Sequence, residues 1–155
     1  MSVAFRRESD EEHREPKFEL PIPVGPNLVT RRGLVLIETR VAALETQIAQ
    51  ETDEATLADA QRSLRYWRTR QATARLAPLP TGDQVAFGSR VTFHHKGGLR
   101  SIDIVGDDEA DPAAGLIAFS APLARALIGT HPEDLVDFGG EADAIEIVAT
   151  GPIEN

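Results

Sequence analysis

The side chains able to do chemistry are carboxylates, arginines and paired histidines, because the 155-residue chain has no cysteine. That excludes disulfides, thiolate zinc sites and a cysteine nucleophile. The densest acid run is Asp107, Asp108, Glu109 and Asp111. It lacks the glycine and terminal glutamate of a twelve-residue calcium loop, so calcium is a weak reading. A second group, Glu51, Asp53 and Glu54, sits in a polar break between two apolar-periodic runs. Glu51 and Glu54 are spaced i, i+3, which brings two carboxylates near one another as a site for carboxylate chemistry needs. Acids at a helix start are equally ordinary as caps and dipole partners, and both readings stand. His94 and His95 are adjacent on an alternating stretch, point to opposite faces and make poor metal ligands.

Arg62, Arg65, Arg68, Arg70 and Arg75 lie close together and are expected on one helix. They read either as a solvated face or as a surface steered towards an acidic partner. The formal net charge of −9 is unevenly spread: residues 1–29 carry −2, residues 30–76 carry +2 and residues 77–155 carry −9. Such a balance argues against unaided nucleic-acid binding, which gains from counterion release only where cations gather. Hydrophobic residues at 41% make the bulk globular, and aromatics at 5% suggest no large aromatic-lined pocket. Met1 to Asp10 has no apolar signal core and no 18-residue apolar run occurs. The expectation is a soluble, cytoplasmic protein with no membrane partner.

Punctuation divides the chain into four parts. Residues 1–29 read as an extended, flexible leader, because Pro16, Pro21, Pro23 and Pro26 exclude a helix through its second half. Residues 30–76 read as a helical hairpin. Thr30 is a plausible N-cap, and Leu34, Ile37, Val41, Leu44 and Ile48 follow at spacings 3, 4, 3, 4. A second stripe runs through Leu57, Ala60, Leu64, Trp67, Gln71 and Ala74, with Asp53 or Thr52 to cap it. Two narrow stripes joined by a tight turn bury themselves against each other, with Trp67 expected in the seam near Ile37. Arms of about 20 residues project roughly 30 Å. Residues 77–82 are a linker, broken by Pro78, Pro80 and Gly82.

Residues 83–155 change to period two. Val85, Phe87, Val91 and Phe93 suggest a strand interrupted near Gly88, and Lys96-Gly97-Gly98 a hairpin turn before the return strand Leu99 to Val105. Leu116 to Phe119, Leu135 to Phe138 and Ala144 to Ala149 complete a small sheet, with a short helix from Pro122 to Ile128 stopped by Gly129. The fold class is therefore α+β: an antiparallel helical hairpin followed by an antiparallel sheet domain with one short helix.

The stretch Ile104-Val105-Gly106-Asp107-Asp108-Glu109-Ala110-Asp111, followed by Pro122-Leu123-Ala124-Arg125-Ala126-Leu127-Ile128-Gly129, resembles the C-terminal signature of bacterial GreA/GreB transcription elongation factors. Pro21-Ile22-Pro23 and Pro26-Asn27-Leu28-Val29-Thr30 are similar to the leader of some GreB-like members. The resemblance covers most of the chain in the right order. It implies an FKBP-like C-terminal domain that grips the rim of the RNA polymerase secondary channel, and a coiled coil that enters it. Acids at the coil tip, here Glu51, Asp53 and Glu54, would help hold the polymerase's second magnesium ion and a water for cleavage of backtracked RNA. The resemblance gives rim contacts to Asp107, Asp108, Glu109, Asp111, Ser120, Pro122 and Arg125. Channel contacts of Arg65 and Arg68 stand beside the solvated reading.

Such a factor supplies only part of a site, so the chain is expected not to be an enzyme. It would hold no metal or cofactor of its own, act as a monomer, and meet nucleic acid only within the transcription complex. The chain departs from the family at Ala121, where a serine commonly precedes the proline, and at Thr130, where a lysine is usual. The span from Thr30 to Val85 is about two dozen residues short of typical cleavage factors, or about 18 Å of reach per arm. Short arms are more reminiscent of Rnk, a Gre-related protein with a truncated coil. Two mechanisms follow: cleavage stimulated by the tip, or channel occupancy in competition with longer factors. A prolyl isomerase is the reading from another class. It is disfavoured because the C-terminal half offers only Phe87, Phe93, Phe119 and Phe138 for an aromatic cleft.

Overall fold

The computed structural model describes residues 18–154. The first 17 residues, which hold more than half of the expected leader, lie outside them.

Strand β1 (Leu28–Val29) leads into helix α1 (Arg31–Gln50), and helix α2 (Glu54–Thr73) returns to strand β2 (Arg75–Leu76). Thr30 caps α1: its hydroxyl accepts the Gly33 N–H at 3.0 Å. The seam closes as the spacing requires, with Ile37 and Val41 of α1 and Ala60 and Leu64 of α2 buried. Leu34, Leu44, Ile48 and Leu57 are half-buried along it. Towards the base the stripe drifts. A helix of 3.6 residues per turn carries a 3-4 pattern slowly sideways, and Arg70 is buried in place of the exposed Gln71. Trp67 is half-buried, edge-on to Tyr66 and beneath the Arg40 guanidinium.

β1 and β2 pair in parallel, which the sequence reading did not foresee. The Arg75 N–H donates to the Asn27 carbonyl at 2.8 Å and the Ala77 N–H to the Val29 carbonyl at 3.1 Å. Arg75 therefore belongs to a strand rather than to the second helix. At the end of the leader Asn27 and Val29 are buried, as is Thr30 at the start of the hairpin.

The remainder is a five-stranded sheet in the order β5-β4-β3-β7-β6. Its strands are β3 (Ser89–His95), β4 (Gly98–Val105), β5 (Leu116–Ala118), β6 (Leu135–Phe138) and β7 (Glu141–Pro152), with helix α3 (Pro122–Leu127) before β6. Every pair is antiparallel except β4 with β5. Lys96 and Gly97 turn between β3 and β4 with both φ values positive, as a tight hairpin needs. Period-two alternation sends Val91, Phe93, Ile145 and Ile147 inward, where they meet Ile102, Ile104, Ile117, Ala124 and Leu127. Val85 joins this core from an irregular segment, so the expected strand begins only at Ser89. The architecture is thus a helical hairpin followed by a mostly antiparallel sheet domain.

Candidate functional site

The acid run after β4 forms a tight turn closed by the Glu109 N–H on the Gly106 carbonyl at 3.2 Å. Its three successive carboxylates leave in three directions. Asp107 accepts the Ser120 hydroxyl at 2.5 Å, just before α3. Asp108 turns to α2, where it accepts the Arg70 Nε–H at 2.6 Å and the Tyr66 hydroxyl. Glu109 turns to the start of α1, accepting the Thr30 hydroxyl at 2.5 Å and the Arg32 Nε–H at 2.6 Å. One turn of the sheet domain thereby holds both arms of the hairpin.

Asp108 and Glu109 were expected at a partner's surface, yet they are used inside the chain. Their side chains are 7% and 3% exposed, a burial tolerated because each carboxylate is paired and hydrogen-bonded. Arg70, at 2%, also donates Nη2–H to the Asn27 side-chain oxygen at 2.8 Å and stands 3.9 Å from Asp107. Asn27 in turn donates to the Arg70 carbonyl at 2.8 Å and to the Thr73 hydroxyl at 3.2 Å. Sequence reasoning placed Arg70 with the other arginines and missed Asn27. The only advance sign was an acidic turn opposite an arginine-rich helix, and pairing between distant segments leaves no local pattern.

Burial and the Asp108 carboxylate push the Tyr66 hydroxyl up to about 12, because both penalise the phenolate. The raised value belongs to the folded state, so the neutral phenol's contribution to stability is full below pH 10 and lost as pH rises towards 12. Tyr66 is the single tyrosine, so its ionisation can be followed by tyrosinate absorbance. The folded chain is expected to titrate about two pH units above the denatured one, and Asp108→Asn to bring the two closer.

At the far end of the hairpin, Asp53 caps α2. Its carboxylate accepts the Thr56 hydroxyl at 2.7 Å and the Thr56 N–H at 2.9 Å. These bonds, the hydroxyl's first, hold Asp53 below the usual carboxylate range. A lowered value means the cap stabilises above the ordinary aspartate range and fails as pH falls through the folded value. Asp53→Ala is therefore expected to lower the melting temperature at neutral pH, with the difference shrinking in acid. Glu51 bends back to accept the Asp53 N–H at 3.0 Å, while Glu54 is exposed in the first turn. Among the described residues no three acid or histidine side chains converge as a metal site would require.

Arg65 pairs with Glu19 at 2.6 Å and Arg68 with Glu45 at 3.3 Å, both in the open. Ser120, Pro122, Arg125 and Asp111 are exposed, and Ser120 is tied to Asp107. The structure thus gathers Asp107, Ser120 and Pro122 at the entry to α3, with Arg125 one turn on. Asp108 and Glu109 face the hairpin, and Glu51, Asp53 and Glu54 lie at its opposite end. No helix among the described residues is long and apolar enough to cross a membrane.

Residues 79–149 match the family model "Transcription elongation factor, GreA/GreB, C-term". Transcription elongation factor GreA of Legionella pneumophila (strain Corby) is 44% identical over 63 residues, covering 39% of each chain. GreA of Brucella canis is 42% identical over 73 residues, 46% of this chain and 41% of that one. The matches span about two fifths of those relatives' own length. Among solved structures, the GreA/GreB factor of Nitrosomonas europaea overlays 83% of this chain and 99% of its own at 16% identity, with a TM-score of 0.40. The acidic turn and α3 both lie within the residues that the family model matches. Residues 79–149 thus form a C-terminal domain of the GreA/GreB transcription elongation factor type.

Proposed function

We propose that the chain regulates transcript elongation by docking on RNA polymerase with its sheet domain and placing its short hairpin in the secondary channel. The observation that carries this reading is the hairpin's attachment: a GreA/GreB C-terminal domain holds both arms of a stiff two-helix rod through one acidic turn. Asp107 with the exposed Ser120, Pro122 and Arg125 is the proposed rim contact, together with Asp111, while Arg65 and Arg68 face the channel wall. The cell compartment is then the cytoplasm, and nucleic acid is met only inside the transcription complex.

Occupancy of the channel, rather than cleavage, is the mechanism the tip supports. Twenty-residue arms reach roughly 30 Å, Asp53 is committed to its cap, and Glu51 is bonded to the neighbouring backbone. Asp53 and Glu51 each spend one carboxylate oxygen within the tip, whereas a two-metal site needs several oxygens held in place. The test is transcript cleavage in a backtracked elongation complex with and without the chain. Unchanged cleavage together with altered pausing is expected, and Glu51→Ala with Glu54→Ala should leave the effect in place. Stimulated cleavage that those substitutions abolish would establish the tip as a magnesium-positioning group instead.

A further inference from the structure

The Arg70 guanidinium joins three parts of the chain that are far apart in sequence. Its Nε–H reaches Asp108 in the sheet domain at 2.6 Å, its Nη2–H reaches Asn27 before β1 at 2.8 Å, and its own backbone belongs to α2. We infer that Arg70 is a positioning residue: it fixes the direction in which the hairpin leaves the sheet domain, and so where the tip arrives. The functional consequence rests on the proposed polymerase docking; the directional role does not.

Three observations support direction over mere attachment. Attachment is already supplied by the continuous chain and by the close approach of Gly106 to the Leu28 backbone of β1. A buried ion pair is a poor source of net stability compared with apolar packing, but its hydrogen-bond geometry specifies one arrangement. Finally, the anchors come in a pair from successive residues of one turn, Asp108 to α2 and Glu109 to the start of α1. One anchor would leave a rod free to swivel, whereas two on different arms define its axis. The lever is long. A tilt of about 10° at the base moves a tip roughly 30 Å away by about 5 Å.

Arginine is suited to this task and lysine is not. The planar fork donates to Asp108 and Asn27 at once through nitrogens fixed relative to each other, while an ammonium is a point charge on a flexible stem.

The test uses the absence of cysteine. Cysteines introduced at the exposed positions Thr52 and Glu141 carry spin labels, and the tip-to-sheet distance distribution is measured in the full chain. Two variants keep the site folded in different ways. Arg70→Lys preserves the charge, and Arg70→Gln with Asp108→Asn replaces the ion pair by two neutral amides. Both are expected to retain helix and sheet content and to broaden the distribution. The paired variant should also recover most of the melting temperature that Arg70→Gln alone loses, so that stability returns while direction does not. A distribution as narrow as the parent's in both variants would overturn the inference. With core polymerase, binding should stay within about twofold while potency on a paused complex falls on the order of tenfold, as displaced groups lose effect steeply. Broadened distances in a chain that never binds polymerase would overturn the proposed function and leave the positioning role standing. Potency falling no more than binding would confine the role to the free chain and overturn its functional consequence.

Discussion

Arg70→Ala is expected to lower the unfolding free energy by about 3–5 kcal/mol, the cost of breaking a buried pair from one side. The substitution leaves the Asp108 carboxylate, 7% exposed, with the Tyr66 hydroxyl as its remaining partner. It also removes the donor to the Asn27 side-chain oxygen. Urea unfolding followed by Trp67 fluorescence reads the change, since Trp67 is the single tryptophan and packs edge-on to Tyr66. Arg65→Ala, five residues earlier on the same helix, is the control. Its pair with Glu19 is solvent-exposed on both sides, and such pairs contribute little. Equal losses in the two variants would contradict the structure's assignment of Arg70 to the junction.

Gly106→Ala should cost about 1–3 kcal/mol by overpacking. A Cβ at Gly106 would collide with the Leu28 carbonyl oxygen, and backbone lies on both sides of that contact. No rotamer can relieve it, so either β1 or the acidic turn must move. Hydrogen exchange should then show faster exchange at Arg75 and Ala77, whose N–H groups bond to Asn27 and Val29. Gly33 provides the comparison. A Cβ there would stand 2.9 Å from a Glu109 side-chain oxygen, and a side chain can give way where a carbonyl cannot. Gly33→Ala is therefore expected to perturb the Glu109 contacts and leave the β1–β2 pairing protected.

Period and punctuation made the architecture legible. The 3-4 stripes gave the hairpin because an apolar face a few residues wide has one way to hide, against a second such face. Caps at Thr30 and Asp53 and the Lys96-Gly97 turn were visible because each depends on residues within a few positions. The junction was not. Asp108 pairs with Arg70 across 38 positions and Glu109 with Arg32 across 77. Read locally, a run of acids after a strand is a solvated or contact loop, because aspartate and glutamate are rarely buried without a partner. The β1–β2 pairing was hidden for another reason. Each strand has only two residues, too few to show a period, and the proline-rich approach suggested a free leader. The tip lay between, its position clear from sequence and its chemistry open to two readings. The structure gives Asp53 to the cap, which is the ordinary fate of an acid at a helix start.

Docking at the secondary channel is tested most directly by competition. Backtracked elongation complexes are supplied with a long-armed GreA at a concentration that half-saturates transcript cleavage, and this chain is titrated in. Cleavage is expected to fall towards the unstimulated rate and to recover when more GreA is added, as two ligands of one site require. Cleavage that stays constant across the titration, at concentrations well above that of GreA, would contradict the account.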